Sequence, residues 1–308
     1  MQPEQQMNLN QDPKINVPGE AKEKGISPFR MAFRRFLKNK AAVVSIFVLA
    51  IIILLCLCAP LLTDYDPIEY DLLKIDQKPS SEHILGTDNS GRDVFSRLLY
   101  GGRISIIIGF SAMFFTLVIG VTLGAIAGYY GGKVDNIIMR ITDIFMILPF
   151  LVLVLVIVAI LEKVTIQIFV TIIALTSWPS LTRIVRGSFL SLREREFVLG
   201  ARAIGASDFR IIFRHFIPNA IGPIVVNATL MVATYIVIES GLSFIGFGIP
   251  QPTPTWGNML SSALSVRVLQ YHPEQWVPPG LMILLTVLCI NFIGDGLRDA
   301  FDPKSNKR

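Results

Sequence analysis

Residues 193–219, REREFVLGARAIGASDFRIIFRHFIPN, are the one long polar interruption in the apolar second half of the chain. Arginines stand at 193, 195, 202, 210 and 214, and runs apolar enough for a membrane interior flank the stretch on both sides. The stretch also carries helix punctuation. Residues 196–204 read as a helix, and Gly205, lacking a Cβ, suits the left-handed turn that closes one. Ser207 is a fitting N-cap for a second helix running through Phe216, until Pro218, which has no N–H, stops it. The expectation is a helix, a glycine turn and a second helix at a membrane surface, basic outside and apolar within. A plain basic loop that only orients a membrane protein explains the arginines but not the glycine-centred pair of helices.

Composition supports a membrane setting. The 308 residues are 52% hydrophobic and only 17% charged, with a mean hydropathy of +0.57. A soluble domain carries about a quarter charged residues. The net charge of +5 is not gathered on one soluble domain but sits in short stretches beside apolar runs, the mark of topology rather than of nucleic-acid binding. Cys56, Cys58 and Cys289 lie inside apolar runs and form no disulfide framework. His83, His215 and His272 are far apart and show no metal-ligand spacing, so no metal and no cofactor is expected in this chain.

Taken in order, the chain divides into six spans, an all-α polytopic membrane protein. Residues 1–40 form a cytoplasmic region: a polar, disordered tail, then a basic amphipathic piece from Pro28 to Lys40 lying along the membrane. Span one is 41–62. An extracytoplasmic segment follows over 63–103, acidic and rich in turn signals, in which Arg92, Asp93 and Arg97 read as a salt-bridge set on a helix surface rather than as catalysts. Span two, 104–128, repeats glycine at 120, 124 and 128, one smooth face where another helix approaches closely. Gly131-Gly132-Lys133 is a near miss for a phosphate loop and implies no nucleotide site. Span three, 136–161, is kinked by Pro149, with Arg140 and Asp143 pairing with each other. Glu162-Lys163 makes a short outer turn before span four, 164–181, and the polar loop over 186–219 falls inside. Span five is 220–244. Residues 246–279, proline-rich and carrying Trp256 and Trp276, fold back onto the bundle mouth, and span six is 280–297. Residues 104–299 thus make a core of five spans, and 300–308 a cytoplasmic tail. This arrangement puts about 21 of the 28 lysines and arginines inside and about seven outside, with both termini in the cytoplasm.

The polar loop resembles the cytoplasmic EAA loop of the permeases of ABC importers: Glu-Ala-Ala, three residues, Gly, nine residues, then Ile-x-Leu-Pro. Gly205 takes the place of the glycine, Ala201 of the second alanine, and Ile217-Pro218 of the closing pair; Leu199, Gly200 and His215 depart from the pattern. REREFV before it, HFIPN at its end and HILGTDNSGRDVFSRLLYGGRIS from residue 83 resemble the dipeptide, oligopeptide and nickel branch. The resemblance runs from about residue 83 to 303. It implies the type I importer permease fold in a bacterial cell membrane, half of a translocation pathway, and no enzyme activity in this chain. The implied partners are a second homologous permease, two cytoplasmic subunits that bind ATP and Mg, an external substrate-binding protein, a peptide or small chelate as cargo, and membrane lipid. Glu196, Ala201, Arg202, Gly205, Ala206, Ser207 and Pro218 become the residues expected to couple to an ATPase. Glu239, a carboxylate inside span five, has two open destinations: a buried partner, or the water-filled pathway. An intramembrane enzyme would need a nucleophile and base, or a carboxylate dyad, at one depth. No span holds a histidine, and Asp143, Glu239 and Asp295 lie at mixed inner and outer ends.

Overall fold

The computed structural model describes residues 28–161 and 164–302. The polar tail, the Glu162-Lys163 turn and the basic residues after 303 lie outside the described residues. In chain order the helices are α1 (Pro28–Lys38), α2 (Lys40–Leu57), α3 (Ala59–Leu62), α4 (Val94–Tyr130), α5 (Gly132–Ile147), α6 (Phe150–Ile160), α7 (Ile166–Arg193), α8 (Glu196–Ala203), α9 (Asp208–Ile211), α10 (Ile217–Phe244), α11 (Trp256–Leu260), α12 (Val266–Tyr271) and α13 (Pro273–Phe301). A π-helical turn (Ile212–Phe216) joins α9 to α10, and a 3-10 turn (Ser261–Leu264) precedes α12. Five helical stretches are long and apolar enough to cross a membrane: α2, α4, α7, Asp208–Phe244 and α13. The pair α5–α6 is apolar enough to count as a sixth, but it is bent by 81°, the shape of a broken span or a re-entrant loop. The bend is far sharper than a proline kink. Leu148 and Pro149 are both extended, and the chain breaks there.

α4 and α7 form the principal pair, and glycine lets them approach. Between apolar helices in lipid there is little hydrophobic drive, so close van der Waals contact carries association. A Cβ at Gly120 would stand 2.9 Å from Leu181 Cβ, at Gly124 2.7 Å from the Thr182 carbonyl, and at Gly128 2.5 Å from Phe189 Cβ. α13 packs against α2 and α10, and α1 lies on its end through Ala32 and Phe36, leaving Phe33 and Leu37 exposed.

Two expectations about helix ends and one about burial need correcting. α4 begins at Val94, ten residues before the apolar run, because Asp93 accepts from the Ser96 amide at 2.7 Å and caps it. Residues 94–103 are therefore helical. Arg92, Asp93 and Arg97 are buried, not on a helix surface. Asp88 pairs with Arg92 at 2.8 Å and faces Arg97 at 3.5 Å, while Arg97 also donates to the carbonyls of Pro67 and Pro252. The cover comes from residues 246–275, more than 150 positions away. Finally, Pro218 does not end a helix. Its missing N–H falls at the π turn, where Ile217 N–H reaches back five residues to Ile212, so the chain stays helical from Asp208 to Phe244.

Charge pairing inside the bundle also departs from the local expectation. Asp143 pairs with Arg183 of α7 at 2.5 Å, not with Arg140 three residues away on its own helix. About one turn along α7, Arg186 holds Asp135 with two bonds of 2.5 and 2.6 Å. Both pairs tie α5 to α7.

Candidate coupling surface and membrane groove

The helix, glycine turn and helix over residues 196–216 is built from local signals. Gly205 has φ +77°, the left-handed conformation. Its amide donates to Arg202 O at 2.9 Å, and the Ala206 amide donates to Ala201 O at 3.0 Å. This crossed pair of bonds is the Schellman closure of a helix, satisfying carbonyls that would otherwise be orphaned. A Cβ at Gly205 would meet nothing within 4 Å, so the requirement for glycine there is one of backbone conformation. Ser207 then accepts from the Arg210 amide at 3.4 Å, a long cap for α9.

One side of this pair is anchored. Val198, Ala201, Ile211 and Phe216 are buried against Tyr129, Leu181, Val185 and Phe189. Tyr129 Oη donates to Asp208 Oδ1 at 2.6 Å, and the Arg202 guanidinium stands 5.2 Å over the Tyr129 ring. The other side is open and apolar. Phe197, Leu199, Ile204, Phe209 and Phe213 are exposed, Ile204 at 85% and Phe209 at 71%, among Arg195, Glu196, Arg202, Arg210 and Arg214. Pro218 is exposed at the far end. Of the seven residues expected to couple, Glu196, Arg202, Gly205, Ser207 and Pro218 are exposed, Ala206 is half-buried, and Ala201 is part of the anchor.

Of the two destinations left open for Glu239, the buried one agrees with its position: Glu239 is 0% exposed. Ser105 Oγ donates to its Oε2 at 3.0 Å and Ser243 Oγ to its Oε1 at 2.8 Å, and the Trp256 amide donates to Ser105 at 3.2 Å. Residues 246–258 fold down over this end of α10. A Cβ on Gly257 would lie 2.5 Å from Ser240 Cα. Its partners are hydroxyls; Arg103 is exposed, and Lys163 lies outside the described residues.

Sequence reasoning missed a half-open groove of about 590 Å³ at the α5–α6 break, walled by α7 and α10. Thr176, Ser177 and Ser180 line it from α7, and Asn227 and Thr234 from α10, among Phe145, Phe150 and Ile238. The polar positions are divided between spans four and five, so no sequence pattern marks them as one site. Only the broken helix brings them to one hollow.

Comparison with known proteins follows this geometry. A family model described as "Binding-protein-dependent transport system inner membrane component" matches residues 120–307, and one described as "N-terminal TM domain of oligopeptide transport permease C" matches 27–79. The chain is 44% identical over 292 residues to a putative peptide permease protein of Brucella suis biovar 1, covering 95% of this chain and 96% of the relative. It is 42% identical over 287 residues to the oligopeptide transport system permease protein OppC of Bacillus subtilis, covering 92% of each. A chain from inward-facing conformations of the MetNI methionine ABC transporter shares the fold, with a TM-score of 0.55 at 20% identity over 67% of this chain and 96% of that one.

Proposed function

The chain belongs to the family of binding-protein-dependent transport system inner membrane components, and from that premise we propose that it forms half of the membrane passage of an ATP-driven importer of peptides. The other half is a second homologous permease. ATP and Mg are bound by two separate cytoplasmic subunits, and cargo is delivered by an extracytoplasmic binding protein. The chain sits in a bacterial cell membrane with both termini in the cytoplasm, and it catalyses no reaction itself.

The observation that carries this reading is the exposed face of α8 and α9. Five large apolar side chains stand outward among arginines on a helix pair whose opposite side is locked to the bundle. An apolar helical face of that kind calls for a groove on a partner. Glu196, Arg202, Gly205, Ala206, Ser207 and Pro218 would belong to the contact or to the turn that presents it, and Ala201 to its anchor. The test is reconstitution. The chain with its partner permease should hydrolyse no ATP, and adding the ATP-binding subunits and the binding protein should give peptide-stimulated hydrolysis with uptake into vesicles. Hydrolysis that proceeds without uptake of any peptide would sink the cargo assignment. Failure of the ATP-binding subunits to co-purify with the chain would sink the coupling assignment.

A further inference from the structure

The groove at the α5–α6 break has a chemical character that its lining residues determine. Thr176 Oγ1 donates to the Ile172 carbonyl at 2.7 Å, and Thr234 Oγ1 to the Leu230 carbonyl at 3.0 Å. Each hydroxyl hydrogen is thereby committed to its own helix, four residues back. Asn227 does the same with Nδ2, 2.8 Å from the Pro223 carbonyl. A backbone carbonyl only accepts, so it is the amide NH₂ that turns to Pro223, and Oδ1 is left free. Thr176 and Thr234 thus offer a visitor oxygen lone pairs, and Asn227 offers its Oδ1 beside one remaining N–H.

Two further observations bear on the same hollow. Among the described residues no acidic or basic side chain lines it, and Asp143 of α5 and Arg183 of α7, on two of the helices that wall it, pair with each other at 2.5 Å. The break at Leu148 and Pro149 itself borders the groove, and no side chain caps α6. Open backbone at membrane depth is tolerated where it is buried in protein or lines a water-filled cavity, and this stretch lines a half-open one.

We propose that this groove is the chain's share of the passage, and that it receives the main-chain N–H and ammonium donors of an extended peptide through Thr176, Asn227 and Thr234. The inference rests on the peptide-importer reading above and deepens it. Every peptide carries those donors whatever its side chains, and a wall without net charge neither attracts nor repels a charged side chain. Phe145, Phe150 and Ile238 supply apolar surface without a fixed shape for any one residue. The passage therefore reads the backbone and leaves the side chains unread.

The test uses the assembled transporter in vesicles, in a background with Cys56, Cys58 and Cys289 replaced. Thr176→Cys and Asn227→Cys should react with a membrane-impermeant, charged methanethiosulfonate. Phe114→Cys, exposed on α4 outside the groove, should not. In the second arm Asn227→Asp places a carboxylate on the acceptor wall. Uptake of alanyl-glutamyl-alanine should then fall by roughly tenfold or more relative to alanyl-lysyl-alanine, each rate divided by its wild-type value, because like charges brought together repel strongly. Unreactive cysteines at 176 and 227, or an Asn227→Asp protein that slows both peptides equally or neither, would overturn the groove assignment while the importer reading stands. A wild-type transporter that hydrolyses ATP and takes up neither peptide would overturn the importer reading, and this proposal with it.

Discussion

The rim built from residues 63–93 and 246–275 and the coupling surface at α8–α9 are fastened to the same bundle by different forces. The rim is held by buried charge and hydrogen bonds. Asp88 is shared by Arg92 and Arg97, His83 meets Asp93 at 2.9 Å, and Gln275 donates to Asp76 and to the Thr87 carbonyl. Even the exposed part of the rim is paired: Lys74 bonds Glu82 and holds its carboxyl below the usual carboxylate range. The coupling surface is held by apolar packing under one face and by the Tyr129–Asp208 bond, and its other face is left uncovered. The lesson is about completeness. The rim is knitted together by bonds within the chain, whereas α8 and α9 leave an apolar face uncovered.

The sharpest way to break this contrast is Asp88→Ala. It would strip two buried guanidiniums of their carboxylate, and breaking a buried pair in this way costs about 3–5 kcal/mol. The expected outcome is a large drop in thermal midpoint in detergent and little chain recovered from the membrane. A midpoint close to wild type would mean that the rim is not held by charge. Next comes Gly205→Asp. A side chain in the left-handed conformation costs about 1–2 kcal/mol there, borne by the exposed turn rather than by the bundle. The chain should reach the membrane in normal amount while uptake and co-purification of the ATP-binding subunits are lost. Normal uptake would remove the turn from coupling. The smallest effect is expected from Tyr129→Phe, which deletes one hydrogen bond, about 1 kcal/mol. It should loosen α9 enough to raise amide exchange at residues 207–211 and leave the rim unchanged. Equal exchange at both ends would show the two regions to be one unit.

What could be read in the sequence was local chemistry and hydropathy. The six apolar spans, the helix at Glu196, the glycine at 205 and the Ser207 cap depend on neighbours within a few residues. What could not be read depends on distant cover. Arg92 and Arg97 look like surface residues until residues 246–275 close over them, and the same segment seals Glu239 from water. Asp143 was expected to pair with Arg140 because only its own helix is visible in a linear pattern, yet Arg183 stands 40 positions on. Pro218 was a stop signal by rule, and the π turn before it absorbs the missing N–H instead. The groove escaped notice for a related reason. Its polar residues lie on two spans and become neighbours only because a third is broken.

The unbroken helical run from Asp208 to Phe244 has a mechanical consequence. Its 37 residues make a shaft about 55 Å long, with Phe209 at one end, exposed for contact, and Glu239 near the other, bolted to Ser105 and Ser243. A stiff shaft converts rotation into travel: a tilt of roughly 10° about one end carries the other about 10 Å. Asn227 stands about midway along it and Thr234 about two turns further on. A push delivered at the base would first cross the π turn at Ile212–Phe216 and the helix at Pro223, the two places along the run where it can flex.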